Sequence, residues 1–352
     1  MKNVYLLIVI LIISVSVFNF YLNLAFKKFK FLEKFKNILV YFFATLFVIT
    51  ILDFYVFKKF GHGFPSSVSE EKFERSPSPY DMFSGKPYYK DNNELGFKGD
   101  AFVNNSEKTY QLAFFGGSTG YNGNPPISDL IENNLNKKIN VKSYNFSSVS
   151  SNHNQHIHRL LKHSNINFDL VIFYGGYNET IQSFLYDPRP GYPFNYWIRN
   201  ELSKIKYIFL KYSATYAEYE KQTGSVTNLN TIKKKINFSN DEWYDNLFEN
   251  YFTTINKAKR LSEKFIKSNN CKSTKFAAFY QPISLKRSND NEKKIILETK
   301  KRLKLQNELI DISDVLDEDF FTDAVHVNQK AKRIIANEIS DYIKKNLLIG
   351  CN

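Results

Sequence analysis

The amino-acid sequence predicts an α/β protein in which helices cover both faces of a parallel sheet. Five short apolar runs alternate with helical stretches, as in chains that build parallel sheets. The first run is apolar apart from Gln111, which is typical of a strand buried on both faces. Polar motifs follow several of the runs, at the sheet edge where ligands bind in such folds. The candidate strands are Tyr110–Phe115, Val141–Phe146, Leu170–Tyr174, Lys275–Phe279 and Glu308–Ile312.

Two long apolar segments precede this domain. Val4–Phe26 contains no charged residue, and Ile38–Phe57 is interrupted only by Asp53. Each is long enough to span a bilayer, and the first is too long for the core of a typical signal peptide. We therefore expect residues 1–60 to form an anchor of two transmembrane helices.

The orientation of this anchor follows from the loop between its helices. Lys27–Lys36 carries five lysines against one glutamate, and short basic loops stay in the cytoplasm. Everything after Phe57 is then expected outside, although Lys58 and Lys59 weakly oppose this orientation. The formal net charge of +13 is dispersed, and no nucleic-acid-binding module is recognisable, so we expect no nucleic-acid partner.

The remaining chain divides into a lead-in, a large domain and an insertion. Residues 61–93 are rich in Pro, Ser, Gly and Asn and predict an irregular stalk, and residues 94–352 form the domain. The aromatic stretch at about 180–240 is too long for an ordinary connection. It is interpreted either as a wall of the active site or as a packing or partner surface. Helices are predicted at Asp241–Asn269 and Asn328–Leu348.

Ser118 is the candidate nucleophile. It follows the first strand and the pair Gly116-Gly117, where a tight turn exposes a hydroxyl. A serine hydroxyl needs a histidine base, a carboxylate that orients the base, and donors for the oxyanion. His326, Asp323 and Asn178 supply these groups.

These blocks resemble the SGNH hydrolases, also called the GDSL-like esterases. Phe115-Gly-Gly-Ser-Thr119 matches the nucleophile block, Gly176-Tyr-Asn-Glu179 the block with the oxyanion asparagine, and Asp323-Ala-Val-His326 the final block. The resemblance covers roughly residues 94–348. It implies a three-layer flavodoxin-like fold and a Ser118–His326–Asp323 triad.

The second block departs from the family pattern, which places a glycine after the second strand and uses its backbone N–H in the oxyanion hole. This chain has a serine-rich run there instead, Ser147–Ser151. The expected oxyanion hole is formed by Ser118, Ser148 and Asn178, with Ser151 as the alternative to Ser148.

Four histidines follow the second strand, namely His153, His156, His158 and His163. Their spacing matches no zinc pattern, so surface histidines are the preferred interpretation, with His153 as a candidate for the mouth of the site. No metal or other cofactor is expected.

The two cysteines, Cys271 and Cys351, are predicted to pair. Cys271 precedes the fourth strand, near the amino edge of the sheet, and the closing helix should return Cys351 to that edge. An oxidising compartment permits the bond, and two unlinked thiols are the alternative.

A membrane-tethered bacterial member of this family is expected to act outside the cytoplasm, at the inner or plasma membrane. The predicted function is a serine esterase for O-acyl groups, with O-acetyl expected, on a cell-surface polysaccharide. The alternatives are an O-acetyltransferase fed by a membrane acyl-donor partner, and a non-catalytic glycan-binding or assembly protein that keeps the fold.

Overall fold

A computed structural model describes most of the chain after residue 35. The described residues are 36–60, 75–78, 82–100, 102, 109–182, 208–209, 212–223, 240–304, 306, 308–349 and 351. The chain divides into two compact units, Met1–Ser67 with Lys204–Thr223, and Val68–Ser203 with Gly224–Asn352. The predicted span Val4–Phe26, nearly all of the basic loop and most of the 180–240 insertion lie outside the described residues.

The helices and strands are numbered in chain order. The helices are α1 (Lys36–Phe60), α2 (Ser118–Tyr121), α3 (Ile127–Leu135), α4 (His153–Lys162), α5 (Ala214–Thr223), α6 (Asn240–Phe265), α7 (Asp290–Leu303) and α8 (Gln329–Tyr342). The strands are β1 (Arg75–Ser78), β2 (Met82–Gly85), β3 (Tyr110–Gly116), β4 (Val141–Asn145), β5 (Leu170–Gly175), β6 (Lys275–Tyr280) and β7 (Leu309–Asp311).

The first unit contains α1 and α5. Asp53 of α1 accepts hydrogen bonds from the hydroxyl of Ser213 (2.7 Å) and the backbone N–H of Thr215 (2.8 Å), at the start of α5. The predicted segment Ile38–Phe57 lies entirely within α1, so it is helical, as predicted. Among the residues that the structure describes, however, no helix combines the length and the apolar character needed to cross a membrane, so the two-helix anchor is not supported.

The second unit is built on a five-stranded sheet in the order β4-β3-β5-β6-β7, with every neighbouring pair parallel. All five predicted strands are present, with ends that differ by one residue at most. The strand order is that of flavodoxin-like folds, and the end of β3, which lies between β4 and β5, is at a topological switch point. The predicted α/β fold with a parallel sheet is confirmed.

Helices cover both faces of this sheet, as continuous apolar strands require. On one face, α3 and α8 pack over apolar side chains that include Leu112, Phe114 and Ile172. On the other face, α4, α6 and α7 pack over side chains that include Phe115, Val171 and Phe173. The closing helix α8 continues into a π-helical turn, Ile343–Leu347, so its predicted extent is close to the observed one.

Part of the predicted irregular lead-in is ordered. β1 and β2, which belong to residues 61–93, form an antiparallel pair. Within the predicted domain that begins at residue 94, Lys98 forms a bridge with Asn145 at the end of β4. Phe97 lies in the core, with its ring centroid 4.5 Å from that of Phe146. Pro77 lies within β1 and does not prevent its pairing with β2, because a strand with one partner tolerates a missing N–H donor.

The predicted disulfide is confirmed, since Cys271 and Cys351 are bonded across 80 residues of sequence. Cys271 precedes β6, and Cys351 follows the turn that extends α8. The bond therefore ties the end of the closing helix to the amino edge of the sheet, on the side away from Ser118.

Candidate active site

Ser118 lies directly after β3, whose residues are all buried. It opens the short helix α2 and is itself only half-buried. A Cβ atom on Gly117 would lie 2.6 Å from Nδ2 of Asn178, a distance that no side chain tolerates. The glycine before the serine therefore allows the Asn178 carboxamide to approach the backbone beside the hydroxyl.

A chain of hydrogen bonds runs from Ser118 to the predicted base and acid. The Ser118 Oγ atom lies 2.8 Å from Nε2 of His326, and Nδ1 of His326 lies 2.7 Å from Oδ2 of Asp323. A neutral imidazole that carries its proton on Nδ1 donates to Asp323 and accepts the serine hydroxyl at Nε2. This tautomer is the one that a general base for Ser118 requires.

The Asp323 carboxylate is also fixed by backbone donors. Its Oδ1 atom accepts the N–H groups of Val325 (2.9 Å) and His326 (2.7 Å). Partial burial opposes ionisation, but the hydrogen bonds from His326 and Val325 outweigh it and hold the pKa of Asp323 below its ordinary value. The carboxylate is therefore charged at neutral pH and can stabilise an imidazolium.

The segment that carries His326 is a tight turn before α8. The backbone N–H of Thr322 donates to the carbonyl of His326 (2.8 Å), and Phe321 forms a bridge with Val327. Asn328 then caps α8 by accepting the N–H of Ala331 (3.0 Å). The backbone that carries the His326 side chain is thus held by hydrogen bonds on both sides.

Asn178 follows β5 on the other side of the nucleophile. Gly176 has a φ of 144°, which favours glycine, and Asn178 begins a π-helical turn that ends at Gln182. The Asn178 carboxamide donates through Nδ2 to the carbonyl of Ser151 (2.8 Å). Asn178 therefore links the loop after β5 to the loop after β4, next to Gly117.

The serine-rich loop after β4 differs from the prediction. The N–H of Ser148 donates to the carbonyl of Gly116 (3.0 Å), and the N–H of Ser151 donates to the carbonyl of Ser148 (3.1 Å). Neither of the two named donors is therefore available to an oxyanion. Ser150 lies between them with a φ of 61°, the left-handed conformation in which a glycine is favoured.

Ser150 is the residue of this loop that best corresponds to the family glycine. It is half-buried, and within the described part of the chain its backbone N–H makes no hydrogen bond. Sequence reasoning missed it because the run Ser147–Ser151 contains four serines, and no local signal marks the one that takes a positive φ.

A family comparison covers the part of the chain that contains this site. Residues 99–339, more than half of the chain, match the model of the family described as GDSL-like lipase/acylhydrolase. The chain belongs to this family of SGNH-type hydrolases. No curated protein is significantly similar to it in sequence.

Several solved structures are similar to this acylhydrolase. The lipase/acylhydrolase from Enterococcus faecalis is 13% identical with a TM-score of 0.37, and the match covers 67% of this chain and 96% of the other. A protein from Bacteroides fragilis assigned as an acylhydrolase is 12% identical with a TM-score of 0.34, covering 67% and 88%. One from Parabacteroides merdae assigned as a GDSL-like lipase is 10% identical with a TM-score of 0.36, covering 69% and 99%.

A small cavity adjoins the nucleophile of this acylhydrolase. Its free volume is about 10 Å³, which is room for about one water molecule. Its lining includes Ser118, Asn178, Tyr177, Gln281 and Val325. The Tyr177 hydroxyl donates to Glu292 (3.0 Å), and burial, reinforced by the charge of Glu292, raises the pKa of Tyr177, so the hydroxyl stays a donor. The cavity is therefore small, and a hydrogen bond fixes the hydroxyl of one of its lining residues, Tyr177.

The histidines predicted to lie on a surface are mostly buried. His153 and His156 are fully buried, and His158 is the exposed one on α4. The backbone N–H of His153 donates to Glu179 (2.9 Å), and its Nδ1 lies 3.0 Å from the same carboxylate oxygen. His153 therefore lies beneath the site rather than at its mouth, and no local sequence signal predicts its pairing with Glu179.

His153, His156 and Glu179 bring three potential metal ligands within 4.8 Å of one another. The Nδ1 atoms of the two histidines are 3.2 Å apart, and Nε2 of His156 lies 3.0 Å from the Ser151 hydroxyl. The buried Arg159 donates through Nη1 to the carbonyl of Phe146 (3.3 Å) and to the hydroxyl of Ser151 (3.2 Å). Hydrogen bonds join these side chains to one another and to Ser151, while Nε2 of His153 has no hydrogen-bond partner among the described residues. We assign the cluster a structural role.

Proposed function

We propose that this acylhydrolase is an extracytoplasmic serine esterase that removes O-acetyl groups from a cell-surface polysaccharide. The observation that carries the proposal is the continuous hydrogen-bonded chain from Ser118 through His326 to Asp323, beside a cavity of about 10 Å³. The chain provides an activated nucleophile, and the cavity has room for a methyl group.

In the proposed mechanism, Ser118 Oγ attacks the ester carbonyl while Nε2 of His326 takes its proton. Asp323 stabilises the resulting imidazolium. The developing oxyanion is bound by the Asn178 carboxamide and by the backbone N–H groups of Ser118 and Ser150. His326 then protonates the leaving sugar oxygen, which departs as the free hydroxyl. In the second half of the reaction His326 takes a proton from water as the water attacks the acyl-enzyme, and then returns it to Ser118 Oγ as acetate is released.

The exposure of the base supports a large substrate. The side chains of His326 and Asp323 are 35% and 57% exposed, so the sugar to which the acetyl group is attached can extend into solvent. The small cavity restricts the acyl group, and the open side leaves room for a polymer.

The disulfide supports a location outside the cytoplasm, because such bonds persist in oxidising compartments and are rare in the cytosol. The charge-free segment Val4–Phe26 is the proposed point of membrane attachment. A reporter fused after Cys351 tests this location. Activity of an extracytoplasmic reporter is expected, and activity of a cytoplasmic one would refute it.

The activity itself is tested with aryl esters of increasing chain length and with O-acetylated polysaccharide. We expect acetate release from the polysaccharide, and hydrolysis of the acetyl ester at least ten-fold faster than that of the octanoyl ester. Equal rates for both aryl esters would contradict the role of the cavity. Acetyl transfer to an added oligosaccharide, with little acetate release, would identify a transferase instead.

A fluorophosphonate probe distinguishes an active esterase or transferase from a non-catalytic protein, because it labels an activated serine. Labelling of the wild type that is absent in Ser118→Ala is expected. A folded wild-type protein that resists the probe and hydrolyses no ester would identify a non-catalytic protein.

A further inference from the structure

Two loops beside the nucleophile carry the groups proposed to bind the oxyanion. One follows β4 and contains Ser150, and the other follows β5 and contains Asn178. Because β3 lies between β4 and β5 in the sheet, these loops flank Ser118 on either side. The distance between the two loops therefore sets the positions of Ser150 and Asn178 relative to Ser118.

A single buried carboxylate joins the two sides. Oε2 of Glu179 accepts the N–H of Gly176 (2.6 Å), in the loop after β5. Oε1 accepts the N–H of His153 (2.9 Å), at the start of α4, and lies 3.0 Å from Nδ1 of the same residue. The side chains of His153 and Glu179 are 0% and 5% exposed, so solvent does not compete for these bonds.

The pair also packs tightly against the end of β5. A Cβ atom on Gly175 would lie 2.7 Å from Cε1 of His153 and 2.8 Å from Oε2 of Glu179. Both side chains are thus in contact with the backbone that leads into Asn178. The Asn178 carboxamide then reaches back to the carbonyl of Ser151, which closes a ring of contacts between the loops.

We propose that Glu179 and His153 are positioning residues that set the distance between the two oxyanion-binding loops. This inference rests on the proposed function. Neither side chain is proposed to touch substrate. Their effect is on where the Asn178 carboxamide and the Ser150 N–H stand when the oxyanion forms, so it should appear in the transition state more than in substrate binding.

The test uses the full chain with Glu179→Gln. The amide that replaces the carboxylate cannot accept at both ends, so one N–H of Gly176 or His153 faces an NH₂ group. We expect kcat for an aryl acetate to fall by about ten- to 100-fold with KM changed less than about three-fold. The rate of phosphonylation by a fluorophosphonate should fall by a similar factor, because the oxygen on phosphorus is expected to bind the same donors as the oxyanion.

Asp169→Asn provides the matched control. Asp169 is also fully buried and also binds backbone N–H groups, those of Gln111 (2.8 Å), Asn269 (2.9 Å) and Asn270 (2.8 Å), but at the amino edge of the sheet. It should lower the melting temperature while kcat per folded molecule stays within about two-fold of wild type.

Glu179→Asp keeps the test decisive if Glu179→Gln does not fold. The shorter side chain retains the charge but cannot span both loops, and we expect an intermediate loss in kcat. A kcat within two-fold of wild type for the folded Glu179 variants, or an equal loss in Asp169→Asn, would overturn the inference while leaving the esterase intact. A wild type that neither labels nor hydrolyses esters would overturn both.

Discussion

Two acid–histidine pairs lie at the same edge of the sheet and differ in exposure. Asp323 and His326 have side chains that are 57% and 35% exposed, and His326 contacts the Ser118 hydroxyl. Glu179 and His153 are 5% and 0% exposed, and Glu179 binds main-chain donors of two loops. Similar side chains thus have different surroundings within one site.

The difference separates groups that move protons from groups that hold positions. In the proposed mechanism His326 must gain and lose a proton in every turnover, which requires access to substrate and to water. A buried pair does this poorly, because charging a group away from solvent is costly. Its value lies in rigid geometry. Loss of the exposed pair should therefore abolish chemistry, and loss of the buried pair should reduce it and weaken the fold.

The largest effect is expected for the exposed pair. His326→Ala and Ser118→Ala should each lower kcat by about 10⁴-fold or more, since the base and the nucleophile act as one unit. The free energy of unfolding should change by no more than about 1 kcal/mol, because these side chains are outside the core. Ester hydrolysis and urea unfolding measure the two quantities.

The matched control for this prediction is His158→Ala, which removes an exposed histidine of α4. It should retain wild-type kcat. Residual activity of His326→Ala within a few-fold of wild type would remove the assignment of His326 as the base.

The disulfide gives the opposite combination, a loss of stability without a loss of chemistry. Breaking the bond between Cys271 and Cys351 frees a loop of 80 residues and should lower the free energy of unfolding by about 4 kcal/mol in the chain-entropy model. Because the bond lies at the amino edge, kcat per folded molecule should be unchanged. Urea unfolding and ester hydrolysis with and without reductant test this. An unchanged free energy of unfolding after reduction would contradict the expected stabilisation, and a lower kcat per folded molecule would contradict its separation from the chemistry.

Asn178 is intermediate, because it belongs to the buried framework and also faces the proposed oxyanion. Asn178→Ala should lower kcat by about 10²- to 10³-fold with little change in KM. Steady-state kinetics with an aryl acetate separate the two parameters. A rise in KM at constant kcat would show that Asn178 binds the ground state of the substrate instead.

The exposed half of the site could be predicted from the sequence, because its residues occur in ordered motifs after strand ends. Ser118, Asp323 and His326 are each fixed by local main-chain geometry, and the spacing of Asp323 and His326 already places both in one turn. The five strands were predictable for a similar reason, since short runs rich in apolar residues alternate with helical stretches along the chain.

The buried half could not be predicted in the same way. The contact between His153 and Glu179 joins residues 26 apart in sequence, and it forms only because β4 and β5 flank β3. Ser150 differs from its neighbouring serines only in its backbone conformation. Tertiary structure determines both features, and residue type carries no signal for either.

The smallest predicted effect concerns pH and the buried histidine next to this pair. His156 is fully buried, and burial, followed by the nearby His153 and Arg159, holds its pKa well below 6.5. In the unfolded chain the same imidazole binds a proton as pH falls through 6.5. The unfolded state then carries more protons than the folded state, so stability must decrease as pH falls below about 6.5, by at most about 1.4 kcal/mol per pH unit from this group.

Urea unfolding between pH 7.5 and 5.5 measures this dependence, and His156→Gln removes the group that titrates. In this variant the free energy of unfolding should depend less steeply on pH, by up to about 1.4 kcal/mol per pH unit. The glutamine side chain can still contact the Ser151 hydroxyl. Glu179 affects stability in a separate, more acid pH range. Burial opposes its ionisation, but His153 and the Gly176 N–H hold its pKa below the ordinary value, so its contribution is lost only at more acid pH. His158→Gln is the matched control, because that side chain is exposed on the same helix. If both variants change the pH dependence of the unfolding free energy equally, the acid sensitivity does not arise from the buried cluster. The two acid–histidine pairs would then differ only in their access to solvent.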